Sequence, residues 1–123
     1  MKPPVEHVRV SARSKELLIK IKRRTGLEHW NEICRVALCR SFANQTPPPI
    51  ASKFGESSID MEWKTFAGPH HEVLAALTIL KAKLDGIDTL QRDNIADYFR
   101  AHLERGIMSL QNVNAIYDIY QLQ

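Results

Sequence analysis

Six basic side chains crowd one short segment near the start of the chain. The segment between residues 13 and 24 carries one acid, Glu16, and the six bases Arg13, Lys15, Lys20, Lys22, Arg23 and Arg24. Like charges three or four residues apart destabilise a helix, so their clustering indicates an external polyanion such as a phosphate backbone. Lysine and arginine neutralise phosphates without reading base edges. The segment therefore predicts binding to the nucleic-acid backbone; a solvated surface helix is the alternative interpretation.

The other residues that could carry chemistry do not form a recognisable site. Cys34 and Cys39 lie five residues apart, about 140° around a helix, so they cannot converge on one metal ion. His70 and His71 are adjacent and would point in different directions from a helix start. No glycine-rich phosphate loop, dinucleotide-binding fingerprint or nucleophile elbow occurs in the sequence. We predict no catalytic residues, no metal site and no cofactor, and hence a protein that is not an enzyme.

The basic segment is predicted to form the first helix of a tight helical hairpin. Ser11 or Ser14 can cap this helix, and Gly26 can end it in a left-handed conformation. Its apolar residues make one stripe, and the bases lie off that stripe. The stripe comprises Leu17, Leu18 and Ile21. A second helix is predicted over about residues 28–42, where apolar side chains recur at helical spacing.

The second half of the chain predicts further helices. One is opened by Gly68 and Pro69 and stops at Gly86, and its apolar residues recur at helical spacing. These residues are Val73, Leu77, Leu80 and Leu84. The next helix is expected to end at Gly106, and a short last helix is predicted over residues 112–122.

Together these elements predict a mainly α fold. We expect a compact single-domain helical bundle, with a short N-terminal extended arm and a Pro-rich connection between two helical halves. The arm is predicted over residues 1–10, the basic helical hairpin over 11–43, the connection over 44–67 and the helical second half over 68–123. A chain of 123 residues is long enough for one such domain and too short for two.

The net charge of +3 conceals an asymmetry between the two halves. Residues 1–54 carry a net charge of +7 and residues 55–123 a net charge of −4. This distribution predicts that the first half faces a polyanion and the second half a protein, unless the halves neutralise each other within the fold. No segment is apolar enough to span a membrane, the start lacks an apolar signal region, and there are two cysteines. We therefore expect a cytoplasmic protein with no membrane partner.

Particular stretches of the sequence resemble the DNA sulfur modification protein DndE family. The first is the turn Arg24-Thr25-Gly26 followed by Ile33-Cys34-Arg35-Val36-Ala37-Leu38-Cys39. Further agreement lies in Trp63-Lys64-Thr65-Phe66-Ala67-Gly68, in the apolar helix over residues 74–84, and in residues 102–107. The resemblance covers about residues 10–122.

The resemblance implies a role in bacterial DNA phosphorothioation, in which sulfur replaces a non-bridging phosphate oxygen of the DNA backbone. It implies a helical, non-catalytic subunit that binds double-stranded DNA, with a preference for nicked duplex, and that forms homo-oligomers, described as tetramers in the family. The implied partners are the other sulfur-modification subunits, an iron–sulfur protein and an ATPase. The lysine-rich surface of the family corresponds here to Lys15, Lys20, Lys22, Arg23 and Arg24.

Two other functions remain open at this point. One is a ribbon-helix-helix type regulator, in which residues 5–10 pair across a dimer and enter the major groove. His7 and Arg9 would then contribute to sequence preference. The other is an adaptor whose basic helix docks on the acidic surface of a modification-complex partner, which would co-purify with that partner without binding DNA.

Overall fold

Five α-helices and a two-stranded sheet make up the part of the chain that this computed structural model describes, residues 2–50, 56–115 and 118. The elements are β1 (His7–Ser11), α1 (Ala12–Thr25), α2 (Trp30–Ala43), β2 (Glu56–Glu62), α3 (Trp63–Ala67), α4 (His71–Leu84) and α5 (Arg92–Met108). A 3-10 turn over Gly68–His70 joins α3 to α4. The predicted mainly α fold is confirmed.

The N-terminal arm becomes one strand of the sheet. β1 pairs antiparallel with β2, with Val8 opposite Met61 and Arg9 opposite Asp60. Apolar and polar residues alternate along β1, because Val8 and Val10 point into the core while Arg9 stays exposed. The buried face of the sheet thus packs into the same apolar cluster as the helices.

The prediction of an irregular connection over residues 44–67 is wrong for residues 56–67. That part contains β2 and α3, which position large apolar side chains in the core. The aromatic rings of Trp63, Phe66 and Phe99 meet there, with ring centroids 5.4 to 5.8 Å apart. The strand escaped detection because its alternating residues Ile59 and Met61 are flanked by serines and acids that also suit a loop.

The predicted helix end at Gly106 is also wrong, because α5 continues to Met108. Gly106 lies inside α5, where α2 crosses it. A Cβ atom added at Gly106 would lie 1.9 Å from the backbone oxygen of Ala37. The glycine is therefore required by close approach of two helices rather than by a turn.

Helix α4 buries a different face from the one that its large apolar residues define. Its buried residues are Leu74, Ala75, Thr78 and Ala82. The stripe predicted from the sequence points to solvent, with exposed fractions of 60% for Val73, 40% for Leu77, 54% for Leu80 and 76% for Leu84. Most of the last helix predicted over residues 112–122 lies outside the described residues.

Candidate nucleic-acid interface

Helix α1 is anchored at its start by a hydrogen-bond network to α5. Ser11 caps the helix, since its hydroxyl oxygen accepts a hydrogen bond from the backbone N–H of Ser14 at 3.1 Å. Glu104 of α5 accepts from the backbone N–H of Ser11 at 3.1 Å and from the hydroxyl of Ser14 at 2.6 Å. This network fixes which face of α1 turns outward.

The far end and the buried face of α1 agree with the sequence analysis. Gly26 ends the helix with φ = 77°, and its N–H donates to the Lys22 carbonyl at 3.0 Å. Leu18 and Ile21 are fully buried, and Leu17 is partly buried against the core. The remaining faces of α1 are left for the bases.

The six predicted bases occupy two rows and a position between them. At about 100° per residue, Arg13, Lys20 and Arg24 fall on one side of the exposed surface. Lys15 and Lys22 fall on the other side, about 160° away. Arg23 lies between the two rows. We call the outward surface formed by these six side chains the basic face.

Three of these bases make recorded contacts within the fold. The Lys15 ammonium donates to the Ser58 hydroxyl. Arg24 donates to the carbonyl oxygen of Gln111 at 3.3 Å. The Lys22 ammonium lies over the ring of Trp30, 4.1 Å from its centroid. For Arg13, Lys20 and Arg23, which are all exposed, no hydrogen bond to another described residue is found.

The charges of the basic face are not neutralised within the described residues. The ion pairs found there join Asp60 to His7 and Arg9, and Asp97 to Arg100, and none uses a base of α1. Arg9 of the first half is neutralised by Asp60 of the second half, whereas no base of α1 has such an acidic partner among the described residues. The basic face keeps its attraction for an external anion.

A shallow groove of about 510 Å³ borders the basic face at the turn between α1 and α2. We call it the Trp30 groove; it is lined by Ile19, Lys22, Arg23, Gly26, Leu27, Glu28 and Trp30. The hairpin brings Trp30 of α2 to Lys22 of α1, although the two residues are eight positions apart in the sequence. The signal was available, because the Gly26 turn folds the start of α2 back on the end of α1.

Two more arginines, both on α2, contact other elements of the fold. Arg35 on α2 donates to the carbonyl oxygen of Phe66 at 3.2 Å. Arg40 donates to the hydroxyl and the carbonyl of Ser109, at 3.1 and 3.4 Å. These side chains hold α2 against α3 and the end of α5, and they do not extend the basic face.

The cysteines and histidines do not assemble a metal site. Within residues 2–50, 56–115 and 118, no group of three or more histidine, cysteine or acidic side chains could hold a metal ion. Cys34 is buried, which raises the pKa of its thiol to about 12, and it is therefore a neutral thiol. Cys39 is exposed on another side of α2. His71 borders a separate acidic pocket with Glu62 and Glu72.

A further buried titratable group, His102, lies between α2 and α5. Its Nδ1 lies 2.8 Å from the hydroxyl of Ser41, while its Nε2 is buried and has no hydrogen-bond partner among the described residues. Arg105 donates to the same hydroxyl at 2.8 Å. Burial and the nearby Arg105 charge lower the pKa of His102 to about 4. This cluster joins α2 to α5 and does not open onto the basic face.

The strand proposed to read DNA in the regulator alternative has other contacts. Asp60 on β2 accepts hydrogen bonds from His7 at 2.8 Å and from Arg9 at 3.0 Å, which lower the pKa of its carboxyl. Both side chains that would read base edges are thus held by the neighbouring strand of the same chain. The alternative of a ribbon paired across a dimer gains no support from this geometry.

Comparison with known proteins decides the family. The family model described as "DNA sulphur modification protein DndE" matches residues 7–118. The chain belongs to the DndE family. It is also similar to the crystal structure of DndE from Escherichia coli B7A, a protein described as involved in DNA phosphorothioation modification. That match has a TM-score of 0.69 and 19% identity, and covers 88% of this chain and 97% of the other.

The structural match shows that the DndE fold extends over most of the described domain. No curated protein matches the chain significantly. No helix within the described residues is both long and apolar enough to cross a membrane. The family assignment connects this DndE domain to DNA sulfur modification, and the roles of its individual residues must be argued from their geometry.

Proposed function

We propose that this DndE protein is a non-catalytic subunit of the DNA phosphorothioation machinery that contacts the phosphate backbone of duplex DNA, preferentially nicked duplex. The basic face of α1 is the proposed contact surface. The observation that carries the proposal is that no ion pair among the described residues uses an α1 base. A DNA backbone is the polyanion that a DNA modification protein meets at high concentration, and it fits this charge.

The proposal makes a quantitative statement about salt. A protein that neutralises Z phosphates loses affinity with a slope of about −0.9Z in a plot of log K against log salt concentration. If Arg13, Lys20 and Arg23 each contact one phosphate, raising the salt concentration from 50 to 200 mM should weaken binding roughly 40-fold. If all six bases contact phosphates, the same increase in salt should weaken binding more than about 1,000-fold.

Fluorescence anisotropy with matched intact and nicked duplexes of one sequence tests the proposal. We expect Lys20→Gln and Arg23→Gln each to weaken binding and to reduce the salt slope by about one. Lys64→Gln is the matched control, because it removes one exposed positive charge from α3, outside the basic face. Equal effects at Lys64 and at the α1 positions would contradict the proposal, as would binding that does not respond to salt.

The non-catalytic part of the proposal has its own test. Supercoiled plasmid incubated with the purified protein and Mg²⁺ should stay supercoiled over a range of protein concentrations. Nicked product that increases with protein concentration would overturn this part, provided that the activity persists after repurification and is lost in a substituted variant, which together exclude a contaminating nuclease.

We also propose that the protein forms homo-oligomers through the exposed apolar stripe of α4. Four large side chains, Val73, Leu77, Leu80 and Leu84, are 40% to 76% exposed in one row. Spacings of four, three and four residues place them along a single helix seam. A contiguous apolar row of this kind is typical of a protein-protein contact.

Charge complementarity favours a second copy of the chain in antiparallel orientation. Glu72 and Lys83 are eleven residues apart, so both lie along the same edge of the stripe at about the same angle. When two α4 helices cross antiparallel about the midpoint of the stripe, Glu72 of one copy comes opposite Lys83 of the other, offset by about 3 Å along the axis. In a parallel pair, the two copies of this edge would lie on opposite sides of the seam, so these ion pairs would not form.

Sedimentation of charge-swapped variants tests this interface. Leu80→Lys should shift the protein towards monomer. Glu72→Lys and Lys83→Glu should each weaken association, and the double variant should recover it, because the ion pairs are restored in reverse. Lys20→Gln on the exposed surface of α1, away from α4, is the control. A monomeric wild-type protein, or a double variant weaker than both singles, would refute the proposed contact.

The other subunits of the machinery are proposed as partners. An iron–sulfur protein and an ATPase are implied by the family resemblance, and the negative net charge of residues 55–123 makes that half the candidate docking region. Co-purification with these subunits in the absence of DNA tests the proposal. Partner binding that is lost with Lys20→Gln and Arg23→Gln, with DNA binding unaffected, would favour the adaptor function instead.

A further inference from the structure

An aromatic ring lies at the edge of the basic face, in the Trp30 groove. The groove has an apolar surface from Ile19, Leu27 and the indole of Trp30, and it is flanked by the cations Lys22 and Arg23. Its volume of about 510 Å³ is within the range of small-ligand sites. Ile19 is 39% exposed, so this surface is open rather than an internal cavity.

The combination of ring and charges fits one kind of ligand. Proteins bind unpaired nucleotides by stacking each base on an aromatic side chain while cations hold the neighbouring phosphates. Lys22 occupies one face of the Trp30 ring through a flexible side chain, at 4.1 Å from the centroid. A phosphate that takes up the Lys22 ammonium would leave that face of the indole to a base.

We propose that the Trp30 groove takes one unpaired nucleobase of a DNA strand, stacked on the indole, with the adjoining phosphates on Lys22 and Arg23. This proposal rests on backbone binding through the basic face and adds a site for a base. In intact duplex every base is stacked within the helix and its extrusion is costly, whereas a base at a strand break or in a gap is released more easily. The groove would therefore discriminate interrupted duplex from intact duplex.

The tryptophan content of the chain provides a direct readout. The sequence contains two tryptophans, Trp30 and Trp63. Trp63 is only 5% exposed, and its indole N–H donates to the carbonyl oxygen of His71 at 3.2 Å. Stacking of a base should therefore quench the emission of Trp30 and leave that of Trp63 unchanged, which the Trp63→Phe variant can verify.

The decisive experiment crosses a change in the protein with a change in the DNA. The probes are an intact duplex, a duplex with an unpaired nucleotide at a one-nucleotide gap, and the same gapped duplex with an abasic residue in place of that nucleotide. The abasic probe keeps every phosphate and removes only the base. We compare the wild-type protein with Trp30→Leu, and use Trp30→Phe to retain an aromatic ring should Trp30→Leu fold poorly.

We expect a loss of affinity only where Trp30→Leu meets the gapped duplex that carries the unpaired base. Trp30→Leu should weaken binding to the gapped duplex about 5- to 150-fold, the range for one stacked base. It should leave the intact and abasic duplexes within about twofold, and Trp30→Phe should retain most of the affinity. In the wild-type protein, the gapped duplex should quench tryptophan emission and the abasic probe should not.

The outcomes separate this proposal from the one on which it rests. If the wild-type protein binds neither intact nor interrupted duplex, backbone binding itself fails. If it binds both, and Trp30→Leu weakens the base-containing and abasic probes equally or neither, only base stacking is overturned. Quenching that is equal with both gapped probes would likewise refute the site, because the phosphates alone would then account for it.

Discussion

The contact between α2 and α5 predicts that Gly106→Ala strongly destabilises the protein. An added Cβ would lie 1.9 Å from the oxygen, 2.4 Å from the carbonyl carbon and 3.1 Å from the Cα of Ala37. These are backbone atoms, which cannot rotate away as a side chain would. Relief of the overlap requires the two helices to separate by more than 1 Å, since ordinary contacts of a Cβ begin near 3.4 Å.

Two opposing terms determine the size of this effect. Alanine in a helix interior is more favourable than glycine by about 1 kcal/mol. Overpacking a well-packed core costs about 1–3 kcal/mol and more where backbone must move. Because the overlap is with backbone and the side chains around it are fully buried, we expect a net loss of about 2–3 kcal/mol in the free energy of unfolding.

Equilibrium unfolding in urea measures this loss. The pair of variants Lys20→Ala and Lys20→Gly on the exposed surface of α1 serves as the calibration, because they differ in helix propensity without changing a buried contact, and should differ by about 1 kcal/mol. A Gly106→Ala protein as stable as the wild type, or about 1 kcal/mol more stable, would show that propensity alone governs this position. The close approach of α2 and α5 would then be refuted.

Three further predictions concern groups that hold the helices in place. Ser11→Ala removes the α1 cap and one hydrogen bond to Glu104, and should cost about 2 kcal/mol in urea unfolding, whereas Ser11→Thr should retain most of the stability. Tyr98→Phe removes the 2.6 Å hydrogen bond to Asp85 and should cost about 1–2 kcal/mol by the same assay. The pKa of His102 is lowered from 6.5 to about 4 in the folded state, so the unfolded chain binds more protons between these values. Stability should therefore fall as the pH drops below about 6.5, by up to roughly 3 kcal/mol near pH 4. His102→Gln should flatten this part of the pH profile, and an unchanged profile would exclude His102 as its source.

The local features of the sequence predicted the basic hairpin closely. The cap at Ser11, the end at Gly26 and the buried Leu18 and Ile21 of α1 are all confirmed. Each depends on interactions between near neighbours along the chain, such as a hydroxyl and an N–H three residues away. The assignment to the DndE family is confirmed as well.

Features that depend on distant parts of the chain were not accessible in the same way. The strand β2 exists because β1 pairs with it, with Val8 opposite Met61, and short alternating runs do not reveal such pairing. Gly106 was interpreted as a helix end because glycine is typical there, whereas its cause is the backbone of Ala37, 69 residues away in the sequence.

The exposed stripe of α4 shows why an apolar face does not identify its partner. Val73, Leu77, Leu80 and Leu84 are the large apolar residues of α4 at helical spacing, yet the helix packs inward through Leu74, Ala75, Thr78 and Ala82. Small residues let α4 lie close to its neighbours, because short side chains bring the helix axes together. Burial on that side does not remove the tendency of the large side chains to leave water, about 25 cal/mol for each Å². The seam is therefore the surface that we propose for self-association, and the alignment of Glu72 with Lys83 is the reason for proposing a second, antiparallel copy as its occupant.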